Sequence, residues 1–198
     1  MNIRTMSDNQ SVRKARLDEI QILEELIARS VMALQGHDYT IEQRKGALGT
    51  VFGIDRQLIH DGTYYVVEAE SEIIACGGWS RRKTLFGSDA IADKNDSELN
   101  PERDAARIRA FFVDPSWARR GIGSRILEVC EAAARAYGFK RFELVATLTG
   151  EPFYRTKGFE VIERYATLLP NGLNLPVVRM AKPCANISKS NTSQTSLN

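Results

Sequence analysis

The sequence predicts a mixed α/β (α+β) fold, with strands and helices interleaved in one domain. Three observations predict it. Residues 63–76 hold two closely spaced runs rich in β-formers. Apolar residues recur at helical spacing after Asp18 and again after Gly123. Between Arg107 and Thr147 the chain reads strand, turn, Gly-x-Gly, helix, strand.

A short first strand is expected at 12–16. Asp18 with Gln21 three residues on reads as a capping box. Behind it Ile20, Leu23, Ile27, Val31 and Leu34 form one helical face, which Gly36 ends. A poorer helical pattern over 40–60, broken by Gly46, Gly49 and Gly53, is expected to cover one side of a site. The runs 63–69 and 72–76 predict a hairpin across Glu70-Ser71, with Gly77-Gly78-Trp79 ending its second strand. Residues 81–104 are polar and irregular, which in a compact domain marks a functional or disordered loop. Strand character returns at 107–113 and stops at Asp114-Pro115. The next helix carries Ile126, Leu127, Cys130, Ala133, Ala134 and Tyr137 on one face, and Gly138 closes it. A strand at 141–147, a short helix at 151–157 and a strand pair at 159–168 and 177–180 complete the order. The domain is expected over 11–182, between a flexible start (1–10) and a disordered polar tail (183–198).

Composition narrows the function classes. The chain of 198 residues suits one domain with a sizeable core. Its net charge of +2 is too mild to argue for a nucleic-acid partner. It contains no run of ~18 apolar residues, so no membrane-spanning helix is expected. Met1 to Gln10 lack the apolar core of a signal peptide, so a cytoplasmic protein is expected. Cys76, Cys130 and Cys184 are widely spaced, and His37 and His60 lie far from them, so no metal site is expected. Cys76 and Cys130 read as packing residues, and so does Trp79; Tyr39 and Phe86 are candidates for lining an acceptor pocket.

The chemistry concentrates where a strand hands over to a helix. Glycines at 121 and 123 allow a ligand to approach the main chain closely. The new helix offers unpaired N–H groups and the positive end of its dipole. Together these suit a pyrophosphate, with Arg119, Arg120 and Arg125 adding charge. Position 126 is Ile, so the dinucleotide fingerprint G-x-G-x-x-G fails, and no Gly-Lys-Ser/Thr follows to make a phosphate loop of the Walker kind.

The stretch Val113-Asp114-Pro115-Ser116-Trp117-Ala118-Arg119-Arg120-Gly121-Ile122-Gly123 resembles motif A of the GNAT acyltransferase superfamily. Val113, Gly121 and Gly123 match that motif, whereas Ala118 stands where Gln or Arg is commonest. Phe153-Tyr154-Arg155-Thr156-Lys157-Gly158-Phe159 is similar to the F-Y-x-x-x-G-F signature of the same superfamily, in the family order. The resemblance implies a central, twisted, mostly antiparallel sheet with helices on both faces and a splay between the two central strands. It implies N-acetyl transfer from acetyl-CoA to a small-molecule or peptide amine, and a homodimer as a candidate assembly. A non-catalytic acyl-CoA sensor of the same fold is the rival reading.

On that resemblance, Phe111, Phe112, Val113, Arg119, Arg120, Gly121, Ile122, Gly123 and Ser124 are expected to hold the cofactor. Lys157 or Arg155 would meet its phosphates or else form a solvated helix face. Tyr154 is the candidate general acid: a phenol with pKa near ~10 keeps its proton at neutral pH and can give it to a thiolate. Many relatives carry a glutamate on the strand before motif A, but this sequence has Arg107 and Arg109 there, so the base is left open, with Glu68 and His60 as substitutes. Arg107 and Arg109 would bind an anionic substrate group or anchor the acidic loop carrying Asp93, Asp96, Glu98, Glu102 and Asp104.

Overall fold

The computed structural model describes residues 10–91 and 94–183. The flexible start and the polar tail expected from the sequence, with Asp93, therefore fall outside the described residues, except at their inner boundaries. Gln10 accepts a hydrogen bond from Arg125 through its carbonyl, and Pro183 still belongs to the last strand.

Seven strands form one sheet: β1 (Ser11–Lys14), β2 (Tyr64–Ala69), β3 (Glu72–Ser80), β4 (Ala106–Val113), β5 (Arg141–Thr147), β6 (Glu160–Leu168) and β7 (Asn174–Pro183). Their spatial order is β1-β2-β3-β4-β5-β7-β6. Every neighbouring pair is antiparallel except β4 and β5. Those two central strands pair in parallel only at Ala106↔Phe142 and Arg107↔Glu143, and then part. The predicted mostly antiparallel sheet and its splay are both present.

Helices α1 (Ile20–Leu34) and α4 (Ile122–Ala136) supply the two cores. Ile122, Ile126, Leu127, Cys130 and Ala134 of α4 are buried against Tyr65, Val67, Ile108, Phe142 and Leu144 of the sheet. On the other face Leu23, Leu26, Ile27 and Val31 of α1 meet Tyr64, Val66, Cys76 and Phe112. Adjacent strand residues thus serve opposite cores, which is why these strands read as near-continuous apolar runs. Burial pushes the Cys76 thiol up to about 12, and the Cys130 thiol well up, as expected of packing residues.

Local signals in the sequence account for most boundaries. In the β2–β3 turn, Glu70 and Ser71 both take positive φ (52° and 68°), the conformation a two-residue hairpin requires although neither is Gly or Asn. Residues 40–60, read as a broken pattern of helix and loop, form two short helices, α2 (Ile41–Ala47) and α3 (Arg56–His60), with a loop between them. Thr40 and Gln43 make a reciprocal capping box for α2, and the Asp55 carboxylate caps α3. β7 is longer than the 177–180 expected, because Asn174, Leu175 and Pro176 pair with β6, and Lys182 and Pro183 pair with β5. On the outer strand β6, a bulge leaves Ile162 unpaired and 54% exposed, a device that blocks edge-to-edge pairing there.

The start of α1 differs from expectation. Asp18 pairs with Arg16 and Gln21 with Glu25, while the buried Glu19 carboxylate accepts from the Arg16 N–H and from Arg13. Burial alone would raise the Glu19 pKa, but the Arg13 and Arg16 hydrogen bonds outweigh it and hold the group below its ordinary 4.5. A depressed carboxylate contributes stability that is complete above the unfolded pKa and is lost as pH falls through the folded one. Glu19→Gln is therefore expected to flatten the fall in melting temperature below about pH 4.5, the unfolded value. Thermal melts of both proteins from neutral pH into the acid range check this.

Among the described residues no helix is long and apolar enough to cross a membrane, and no cluster of His, Cys, Asp or Glu suits a metal ion.

Candidate active site

The site begins with a bulge in β4. Cys76 pairs with Phe112 and Gly78 with Arg109, so Ala110 and Phe111 together oppose Gly77. Ala110 adopts φ +55°, and its carbonyl is redirected to accept a hydrogen bond from the Tyr64 hydroxyl at 3.0 Å. Gly77 and Gly78 lie inside β3, not at its end as expected. A Cβ at Gly77 would stand 2.7 Å from the Phe111 ring, so glycine is what lets that ring lie across the strand.

After β4, the Asp114 side chain caps a short 3-10 turn (Pro115–Trp117) and is held by Arg29 at 3.2 Å. The chain then twists through Arg119 (φ +65°) and Gly121 (φ +81°) into α4. Gly121 is the N-cap residue and has no side chain with which to close the helix end. The main-chain N–H groups of 119–124 find no acceptor among the described residues. A Cβ at Gly121 would meet nothing within 4 Å, so this end is open. Successive amides around left-handed residues, backed by a helix dipole, make a concave anion site. Arg120 stacks over Trp117 at 4.9 Å, and Arg125 is tied to Gln10, so both flank this turn.

Helix α5 (Glu151–Thr156) brings the second motif to the same place. Phe153 lies 3.5 Å from where a Cβ of Gly123 would be. The Tyr154 ring packs edge-on against Phe111 of the bulge, with centroids 6.3 Å apart, and against Phe159 at 5.6 Å. Burial, with a smaller contribution from Cys130, pushes the Tyr154 phenol well above its ordinary 10. Its hydroxyl has no hydrogen-bond partner among the described residues. Lys157 sits at the end of α5 with its ammonium 5.9 Å from the Phe153 ring.

The other nominated residues fall elsewhere. Glu68 is paired with Arg13 at 2.5 Å, and that hydrogen bond lowers its pKa, so it stands as an ionised, occupied carboxylate and not a ready base. His60 ends α3 on the surface, at the N-terminal end of β2, whereas the splay opens toward Val113. Arg107 pairs with Glu143, which also takes Arg179. Arg109 is buried, with its side chain 2% exposed, and its guanidinium serves Asp55 and two loop carbonyls. Arg109 thus meets the 81–104 loop through two carbonyls, and its carboxylate partner is Asp55 and not one of the acidic loop residues. Tyr39 is likewise committed: its hydroxyl accepts from the Leu148 N–H and donates to the Pro176 carbonyl.

On the α1 side of β4 lies a cavity of about 370 Å³, bordered by Ile27, Phe52, Ile54 and Ala28, with Glu24 and Asp89 at its edge. Phe52 packs edge-on against Phe112, the residue following the bulge, at 6.2 Å. The sequence indicated a covering segment at 40–60 but not this cavity; glycines at 49 and 53 were its one visible trace.

A sheet splayed at a parallel pair, a bulge at the opening, and an uncapped helix end beside it define an acyltransferase-type fold. The sequence model for the family described as Acetyltransferase (GNAT) domain matches residues 60–161, and the chain belongs to that family. Solved structures agree in fold. A GCN5-related N-acetyltransferase structure from Rhodopseudomonas palustris is 16% identical with TM-score 0.65, covering 87% of this chain and 94% of its own. PaiA N-acetyltransferase from Thermoplasma acidophilum, solved in complex with coenzyme A, is 14% identical with TM-score 0.60, covering 88% and 99%. A ribosomal-protein-alanine N-acetyltransferase from Brucella melitensis is 15% identical with TM-score 0.58, covering 87% and 99%. No curated protein sequence matches the chain.

Proposed function

We propose that this domain transfers an acetyl group from acetyl-CoA to an amine by direct attack on the thioester. The observation that carries the reading is the meeting of two motifs: Phe153 rests on Gly123 of the helix turn, and Tyr154 rests on Phe111 of the bulge. The amides of residues 119–124 receive the diphosphate, with Arg119, Arg120 and Lys157 adding positive charge. Main-chain groups of Phe111, Phe112 and Val113 run along the pantetheine arm and face the thioester carbonyl. The amine nitrogen attacks that carbon, the C–S bond breaks, and Tyr154 gives its proton to the departing thiolate.

The acceptor, a small-molecule or peptide amine, enters from the α1 side through the cavity beside Phe52 and Phe112. Glu24 and Asp89 at its edge attract the ammonium form, and passage from them onto Ile27, Phe52 and Ile54 favours the neutral, nucleophilic amine. The pathway therefore does not require a strand-borne carboxylate at the position Arg109 occupies; the proton leaves by way of water.

Titration calorimetry with acetyl-CoA, combined with thiol release against a broad amine panel, tests the proposal. Saturable binding with amine-dependent release is expected. Binding without release across the panel would favour an acyl-CoA sensor, and no binding would remove the reading altogether.

A further inference from the structure

We infer that Arg109 is a positioning residue that fixes the amine-binding wall of the site in register with the β4 bulge. The inference rests on the reading of the cavity beside Phe52 as the acceptor pocket. It assigns a role to an arginine on the strand where many relatives carry a glutamate.

Arg109 immediately precedes the left-handed Ala110, so its main chain is part of the bulge itself. Its guanidinium donates to the Thr84 carbonyl at 2.9 Å, the Gly87 carbonyl at 2.7 Å and Asp55 at 2.9 Å. The loop held at Thr84 and Gly87 turns directly into Ser88, Asp89 and Ala90, which border the cavity. That wall is then closed by the Ser88 N–H to the Thr50 carbonyl (2.7 Å), the Ser88 hydroxyl to the Gly49 carbonyl (2.7 Å) and the Asp89 N–H to the Ile54 carbonyl (3.1 Å). Asp55 fixes the opposite side. It caps α3 through the Gln57 N–H, accepts Lys94 at 2.7 Å, and is itself 3% exposed.

One planar, fully charged group thus joins three segments: the bulge, the loop and the cap of α3. A guanidinium suits this because its donors point in fixed, diverging directions, whereas an ammonium offers one compact centre. The balance of charge matters equally. Asp55 is shared by Arg109 and Lys94, and Lys94 also meets Asp89, so two carboxylates balance two cations and the cluster presents no net cation toward an entering amine. Small misplacements of a substrate wall are costly to reactivity, so the effect should fall on the acceptor and spare the cofactor, which binds on the other side of the splay.

The test uses the full chain with Arg109→Lys and, separately, Asp55→Asn. We would measure KM and kcat for the best amine of the panel, the acetyl-CoA Kd by calorimetry, and main-chain hydrogen exchange. The amine KM is expected to rise about tenfold or more while the acetyl-CoA Kd stays within about twofold, with the Ser88 and Asp89 amides losing protection and the core of α4 keeping its own. An unchanged amine KM overturns the inference, and so does a parallel rise in KM and acetyl-CoA Kd, which would report general loosening. Should the unmodified protein acetylate no amine, the proposed function fails, and exchange alone then decides the clamp: unchanged protection at Ser88 and Asp89 in both variants overturns it. If Arg109→Lys does not fold, Asp55→Asn gives the same readings, because it removes one anchor of the guanidinium and keeps the Thr84 and Gly87 carbonyl contacts.

Discussion

Replacing Tyr154 with Phe is expected to lower kcat by ~10²–10⁴ while leaving stability and acetyl-CoA affinity nearly intact. The size follows from the step removed. Without the phenol, the sulfur leaves as a bare thiolate in a site lined by Phe111, Phe153 and Phe159, where an unpaired anion is poorly solvated. The absence of a stability cost follows from the structure as well. The Tyr154 hydroxyl has no hydrogen-bond partner among the described residues, so deleting it orphans nothing, and the ring contacts remain. A packing role predicts the reverse pattern: retained turnover, or a loss that tracks the melting temperature. Because burial raises the Tyr154 pKa, the acid form persists through neutral pH and beyond. The alkaline fall of kcat attributable to this group is therefore expected only above about pH 10, its unperturbed value. Single-turnover rates with matched calorimetry and melts on the two proteins decide the matter. Equal chemistry rates would remove the proposed acid.

The sequence made some of this arrangement legible and left other parts dark. Helix α1 and the α4 face were readable because periodicity and burial coincide: Leu23, Ile27 and Val31, or Ile126, Cys130 and Ala134, are both periodic and buried. Gly121 was readable because its φ of +81° is a backbone demand that glycine meets without strain. The bulge was not readable, since Ala110 takes φ +55° with a residue that carries no such signal, and only the long-range pairing with β3 imposes it. Gly77 and Gly78 misled for a related reason. Their purpose is room for Phe111 and Tyr64 on neighbouring strands, which no local pattern reports. The fate of Arg109 was equally non-local: its partners Asp55, Thr84 and Gly87 come from segments whose approach depends on the finished fold.

Ser124→Asp is expected to weaken acetyl-CoA binding by roughly 10²-fold while raising the melting temperature slightly, and the opposite signs make it diagnostic. Ser124 is the third residue of α4, after an N-cap glycine that offers the helix end no side chain. A carboxylate there faces the positive end of the dipole and stabilises the helix by ~0.3–1 kcal/mol. If the amides of 119–124 hold a diphosphate, the same carboxylate stands within a few ångströms of it. Two like charges about 5 Å apart at an effective dielectric near 20 repel by roughly 3 kcal/mol, which is the stated loss of affinity. Ser124→Asn keeps the size without the charge and is expected to bind nearly as well as the original protein. Raising the salt concentration should narrow the gap between the Asp and Asn variants, because exposed charges are screened. Were the Asp variant to bind acetyl-CoA as tightly as the Asn variant, the diphosphate would have to lie elsewhere. Tyr154 would then no longer be aimed at the sulfur by the cradle at the start of α4.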